Sequence, residues 1–274
     1  MRSLSLKKCI TGIWLDSGRA TRKMPLLFLL VFLVTLGVMY GEHFMNLVIH
    51  ENERSNDGSI QAMSFLFVKG LIRRMSGIAD AIIAIPLIRW SLKNEEFEFS
   101  KLSVYTYFRY FIIWMGFVIL TVFPLTFALL IGPTFGIGGL DRVDQFAVTQ
   151  TAKIMMLFAC TYVAARSALV FPHIALGGRI DWQAMWNDTQ GHVWKIICIE
   201  AMSVQLPSYI ESVFFMPFVR RNFSDLYLIL SVQAVTKVVF MTLSAVSLAW
   251  IYRCFAKEIL IPGEIGNDWK MKNL

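Results

Sequence analysis

The stretch Met24–Gly41, MPLLFLLVFLVTLGVMYG, carries no charged side chain. A bilayer offers no water to backbone N–H and C=O groups, so an apolar run approaching the ~20 residues that span hydrocarbon reads as a transmembrane helix. Six basic residues precede it: Arg2, Lys7, Lys8, Arg19, Arg22 and Lys23. A secretory signal peptide shares that basic start, but its apolar run is shorter and closes on a small-x-small cleavage site. No clean site of that kind follows Gly41, so the segment is expected to remain as a first span.

The composition agrees with this reading. Of 274 residues, 56% are hydrophobic and only 16% charged, where soluble domains carry about a quarter charged residues. This excludes a disordered chain, a collagen and a disulfide-rich scaffold. The expected class is an all-α, polytopic transmembrane bundle of about six spans. The remaining spans are expected near residues 75–90, 107–131, 151–176, 193–219 and 226–254. The second is interrupted upstream by Lys69, Arg73 and Arg74. Residues 60–71 read either as an outer extension of that helix or as an interfacial helix. Residues 42–60 (with HENERSNDGS) read as a solvated turn region and 132–150 as a flexible outer loop. The glycines of GPTFGIGG (132–139) match neither the P-loop nor the dinucleotide spacing.

Two short amphipathic helices are expected at the interface. Residues 3–17 place Leu6, Cys9, Ile10, Ile13 and Trp14 at helical spacing, with Lys7 and Lys8 between them. Residues 181–190 start on Asp181, a good N-cap, and Gly191 follows as a terminator. Trp182, Trp186 and Trp194 are the expected interfacial anchors, because an indole is apolar except for one N–H that needs a partner.

Charge placement predicts orientation. The net charge is +7. With six spans both termini share a side, and seventeen of the 26 Lys and Arg residues fall there. They are the N-terminal six, then Arg89, Lys93, Lys101, Arg109, Arg166, Arg179, Lys195, Arg253, Lys257, Lys270 and Lys272. The positive-inside rule then puts both termini in the cytoplasm, against anionic lipid. Arg220 and Arg221 oppose the rule locally. The basic excess is expected to meet lipid and not nucleic acid, since no basic cluster sits on a soluble domain large enough to fold.

Cys9, Cys160, Cys198 and Cys254 are far apart in sequence, as are His43, His50, His173 and His192. No C-x-x-C or H-E-x-x-H pattern occurs, so no metal and no cofactor is expected, and the thiols read as buried and inert. No G-x-S-x-G occurs either. Ser208 beside Pro207, or His173 after Pro172, could form part of an intramembrane enzyme; no catalytic residue is assigned.

The stretch Ala164–Lys195, AARSALVFPHIALGGRIDWQAMWNDTQGHVWK, resembles a widespread group of uncharacterised bacterial polytopic membrane proteins. Their pattern has an Arg on a late span, Leu-x-x-Pro, Ala-Leu-Gly, and Ala-Trp-x-x-Thr-x-Gly-Asn-x-Trp. Arg166, Leu169, Pro172, Ala175, Leu176, Gly177, Arg179, Trp186, Thr189, Gly191 and Trp194 match it, while Met185 and His192 depart from it. Ile83–Glu96 matches a second segment loosely at Arg89, Leu92 and Glu95, with Ile88 where the group has His. Ser247–Arg253 is similar to the group's small-residue close before Tyr-Arg. The resemblance implies a six-helix protein of a bacterial cytoplasmic membrane and carries no activity with it.

Ionisable residues inside hydrocarbon are costly and stand out. Asp80, Arg166, Glu200, Glu211 and Lys237 lie within the expected spans. At ~1.5 Å rise per residue, their depths suggest two neutralising groups, Glu211 and Asp80 with Lys237, and Glu200 with Arg166. Pro207, between the two glutamates, is the candidate hinge, since broken helices line many transport sites. The leading expectation is a non-enzymatic scaffold or regulatory component acting on other membrane proteins. The alternatives are a small-solute or ion transporter using the buried charges, and an intramembrane enzyme.

Overall fold

The computed structural model describes residues 6–54, 79–93, 104–116, 119 and 142–257. Residues 55–78, most of 117–141 and 258–274 lie outside the described residues, and with them parts of the expected second and third spans and the GPTFGIGG loop. Every described element is a helix. In chain order they are α1 (Leu6–Lys23), α2 (Pro25–Arg54), α3 (79–93), α4 (104–116), α5 (Arg142–Arg166), α6 (Val170–Ala175), α7 (Trp182–Thr189), α8 (Val193–Glu200), α9 (Leu206–Ile210), α10 (Met216–Asn222) and α11 (Leu226–Phe255). Among the described residues, three stretches are long and apolar enough to cross a membrane: Pro25–Val48, Ile154–Ala175 and Leu226–Phe255.

Two readings from polarity need correction. Residues 42–54, expected as a turn region, continue α2 to Arg54. Residues 142–150, expected as loop, are the start of α5. Both segments are polar but lack proline, and extending an existing helix costs far less than nucleating one. Likewise the first amphipathic helix runs to Lys23 and not to Ser17. It stops where Pro25, which lacks an N–H and restricts Met24, opens α2 as its first residue.

The bundle is built around α11. Its C-terminal half is buried at Ala245, Val246, Ser247, Ala249, Ile251 and Tyr252, and these mostly small side chains let neighbouring helices approach closely. It packs against α1, α2, α6, α8 and α10. In contrast, α2 buries one stripe, Leu27, Val31, Thr35 and Val38, at spacings of four and three. Its remaining faces expose Leu26, Leu29, Leu33 and Phe44. A helix apolar all round with one buried stripe fits a lipid-facing position.

The α5–α6 junction follows from Pro172. Its ring would strike the carbonyl four residues back in an uninterrupted helix. The chain instead makes a turn at Ser167–Leu169 and restarts, so that Pro172 falls in the first turn of α6, where its missing N–H leaves no bond unmade. The end of α6 is closed by Gly177 at φ +88°. Gly178 N–H donates to the His173 carbonyl (2.9 Å) and Gly177 N–H to that of Ile174 (2.8 Å). This paired closure requires a left-handed residue, which glycine adopts without strain.

Pro207 and Pro217 are absorbed differently. Ala201–Gln205 and Glu211–Phe215 are π-helical turns, each placed just before a proline. Leu206 N–H bonds to the Ala201 carbonyl and Met216 N–H to that of Glu211, five residues back. The wider turns accommodate the rings, and the backbone stays right-handed helical through Leu206 (φ −64°, ψ −48°) and Glu211 (φ −58°, ψ −49°). Residues 193–222 are therefore one helical rod with two bulges, about 45 Å long at ~1.5 Å per residue. The expected hinge residue Pro207 sits directly after the first bulge.

Candidate functional site

Six helices line a cavity of about 650 Å³. Asp80 enters it from α3, Tyr110 and Trp114 from α4, and Thr161 and Ala164 from α5, with Phe171 from α6. The π-bulged rod contributes Glu200, Ala201 and Gln205, and α11 contributes Ser244 and Ala245. The wall on the α5–α6 side is a helical stripe, Leu157, Thr161, Ala164, Ala168 and Phe171, spaced by fours and threes. Its alanines make the space, because small side chains leave volume that larger neighbours would fill. A cavity of this size is within the ~300–1,000 Å³ typical of small-molecule sites.

Two carboxylates therefore share one pocket, and the sequence had assigned them to different groups. Asp80 lines the pocket, and among the described residues it forms no ion pair with Lys237. Tyr110 lines the same pocket. Among the described residues Glu200 has no hydrogen-bond or ion-pair partner, and it lines the pocket, partly exposed. Glu211 is half-exposed on the second π turn and does not line the cavity. Among the described residues Glu211 and Lys237 form no ion pair.

Arg166 does not neutralise Glu200. It is 4% exposed, and its guanidinium lies over the Trp186 ring, 4.1 Å from the centroid. The Thr189 hydroxyl lies 3.0 Å from the Met185 carbonyl and 3.4 Å from that of Arg166, bonding α7 to the end of α5. Asp188, also buried, accepts the Lys257 N–H at 2.7 Å, which ties α7 to the end of α11. Asp181 caps α7 by accepting from Ala184 N–H at 3.0 Å, and Gly191 follows at φ +76°. Trp182 and Trp194 are exposed and Trp186 is 44% exposed. Several residues that carry the sequence resemblance (Arg166, Leu169, Pro172, Gly177, Trp186, Thr189 and Gly191) thus build one turn-and-clamp assembly.

His173 is held on both ring nitrogens. Its Nε2 lies 2.7 Å from the Arg179 carbonyl, so Nε2 carries the proton it donates. Nδ1 then accepts from the Tyr252 hydroxyl at 3.3 Å. A Cβ at Gly178 would collide with this ring, so Gly178 is part of the same closure. Outside the spans, His192 packs its ring against Phe255 (centroids 5.2 Å apart) and buries an Nδ1 that has no hydrogen-bond partner among the described residues. Burial, followed by the charges of Lys195 and Lys257, holds its pKa below the usual histidine value.

The sequence reading missed Tyr110, Trp114, Phe171 and Gln205 as lining residues. The signal available was the stripe of small and polar side chains at helical spacing, which depth alone does not reveal. No group of three or more metal-ligating side chains occurs among the described residues. Compared with known families, curated proteins and solved structures, the chain matches none, so any functional reading must come from its own residues.

Proposed function

We propose that this chain is a multi-pass protein of a bacterial cytoplasmic membrane that binds a small organic cation in its intramembrane cavity and carries it across. The observation that carries this reading is Glu200, an acidic residue lining the pocket with no cation of its own among the described residues. A buried carboxylate is stable as an anion only when paired. A bound cation supplies that pair. Tyr110, Trp114 and Phe171 line the same space, and aromatic faces attract cations.

The reading takes six spans, with both termini cytoplasmic. Beyond the three apolar stretches, the rod 193–222 supports a fourth, since it exposes Leu206, Tyr209, Val213, Phe214 and Phe218 along its length. A common side for both termini is supported by α1 docking on the C-terminal end of α11, where Lys7, Lys8, Arg19, Arg22, Lys23, Arg253 and Lys257 also lie. Those charges suit anionic lipid, and the exposed rings of Trp182, Trp186 and Trp194 suit the headgroup level.

The test is protein-dependent uptake of labelled tetramethylammonium and guanidinium into proteoliposomes. Saturable uptake that falls at least ~10-fold in Glu200→Gln is expected, one pK-scale interaction being worth about that factor. Absence of saturable uptake for both probes, or uptake unchanged in both Glu200→Gln and Asp80→Asn, refutes the reading.

A scaffold acting on other membrane proteins is the second reading. It is favoured by the ring-rich face of Phe214, Phe215 and Phe218 beside Pro217, and co-purification of a stoichiometric partner in mild detergent, lost on Phe214→Ala/Phe218→Ala, would support it.

A further inference from the structure

We infer that Cys9 and Cys254 form a reversible dithiol–disulfide site that locks the amphipathic helix α1 onto the end of α11. The two sulfurs are 245 positions apart in sequence, yet their Sγ atoms lie 3.7 Å apart. Cys9 is 2% exposed and Cys254 half-buried. Neither helix slides freely at this point. Gly12 is packed against the Trp250 indole, whose Nε1–H donates to Asp16 at 3.0 Å. Asp16 in turn lies 3.7 Å from the Arg253 guanidinium. One turn from the thiols, therefore, the register of the two helices is set by a glycine contact, a hydrogen bond and an ion pair. The sulfurs stay opposed, and a disulfide requires them to close from 3.7 Å to ~2.05 Å.

The step is a two-electron oxidation. One thiolate attacks hydrogen peroxide, forming an S–O bond and breaking the O–O bond, and the hydroxide released takes a proton to become water. The second sulfur attacks the sulfenic acid and displaces its oxygen, which leaves with a proton as a second water. Two thiols and one peroxide thus give one disulfide and two waters. A low-molecular-weight thiol reverses the bond by exchange. A reducing cytoplasm keeps the pair open at rest, so the site responds to peroxide. The consequence reaches further than the two helices, because α1 also packs against α8 and the first π turn. The inference does not depend on what the cavity binds.

The test uses the full chain in lipid nanodiscs, treated with sub-millimolar hydrogen peroxide, quenched with N-ethylmaleimide and digested without reductant. A Cys9–Cys254 linked peptide within one chain is expected. It should vanish with dithiothreitol, be absent in Cys9→Ser and Cys254→Ser, and persist in Cys160→Ala/Cys198→Ala. Amide exchange of α1 should slow at least ~5-fold in the oxidised form. The inference is overturned if both thiols alkylate or overoxidise without a linked peptide, if the link forms only between chains, or if oxidation leaves α1 exchange unchanged. The wild-type measurements decide the matter even if a serine variant fails to fold.

Discussion

Replacing Gly12 by alanine tests the α1–α11 interface most directly. A Cβ at this position would run into the benzo ring of Trp250, whereas one at Gly18, on the same helix, would meet nothing within 4 Å. In an isolated helix both changes favour folding by ~1 kcal/mol, since alanine loses less backbone entropy than glycine. At Gly18 that gain should appear almost undiminished. At Gly12 the indole must move, and it is anchored by the 3.0 Å bond from Nε1–H to the Asp16 carboxylate. A hydrogen bond to a charged group contributes ~1.5–3 kcal/mol. If the ring holds, the overpacking instead costs ~1–3 kcal/mol. Subtracting the helix gain leaves a net loss of up to ~2 kcal/mol in docking for Gly12→Ala. That corresponds to a rise of up to ~30-fold in the open population of α1. Hydrogen exchange of α1 amides, measured on the full chain in nanodiscs, reads this directly. Faster exchange in Gly12→Ala with unchanged or slower exchange in Gly18→Ala is the expected contrast. Equal behaviour of the two variants would mean that Trp250 does not seat against Gly12, and the docking argument would fail.

Two further outcomes follow from the clamp around α7. Trp186→Leu removes the ring beneath the buried Arg166 guanidinium, and a desolvated cation–π contact contributes up to ~2 kcal/mol. The variant should unfold at lower denaturant in detergent, Trp186→Phe should recover part of the loss, and a midpoint equal to wild type for the leucine variant would dismiss the contact. For His192, burial and the neighbouring lysines lower the pKa in the folded protein, so the unfolded chain binds more protons just below the ordinary value of ~6.5. Stability therefore falls as pH drops through that value toward the lowered folded pKa, and levels off below it. His192→Gln should flatten this dependence in a thermal scan between pH 7.5 and 5. A wild-type slope in the variant would place the titration elsewhere.

Much of the helix inventory was legible along the chain. The apolar runs that became α2 and α11 could be read directly, because the requirement to satisfy backbone groups in hydrocarbon leaves few alternatives. Asp181 and Gly191 were legible as the bounds of α7, since capping and left-handed closure depend on local chemistry. Helix ends were misread where polarity was taken for loop, at 42–54 and 142–150. Proline positions were visible, but not their resolution: Pro172 breaks its helix, while Pro207 and Pro217 are taken up by π turns.

The candidate site was only half legible. Asp80 and Glu200, read from depth as ionisable groups within spans, both line the pocket. The expected pairing of Glu200 with Arg166 did not form, because depth is one coordinate and the rotation of each helix about its axis is another. Arg166 turns toward Trp186, and Glu200 lines the cavity. The pairing of Cys9 with Cys254 was out of reach for the same reason, as nothing local links residues 245 positions apart.

The sequence by itself determined the class of this protein, the position of its most apolar helices and the short list of charges held among them, because those depend on composition and local pattern. Tertiary structure decided which faces meet. It turned Asp80 and Glu200 into one pocket, gave Arg166 an aromatic partner and set two distant thiols side by side. The physical reason is that helix rotation and contact are chosen by the packing of many side chains at once, chiefly the small ones of α11 and α5, and no single residue carries that information.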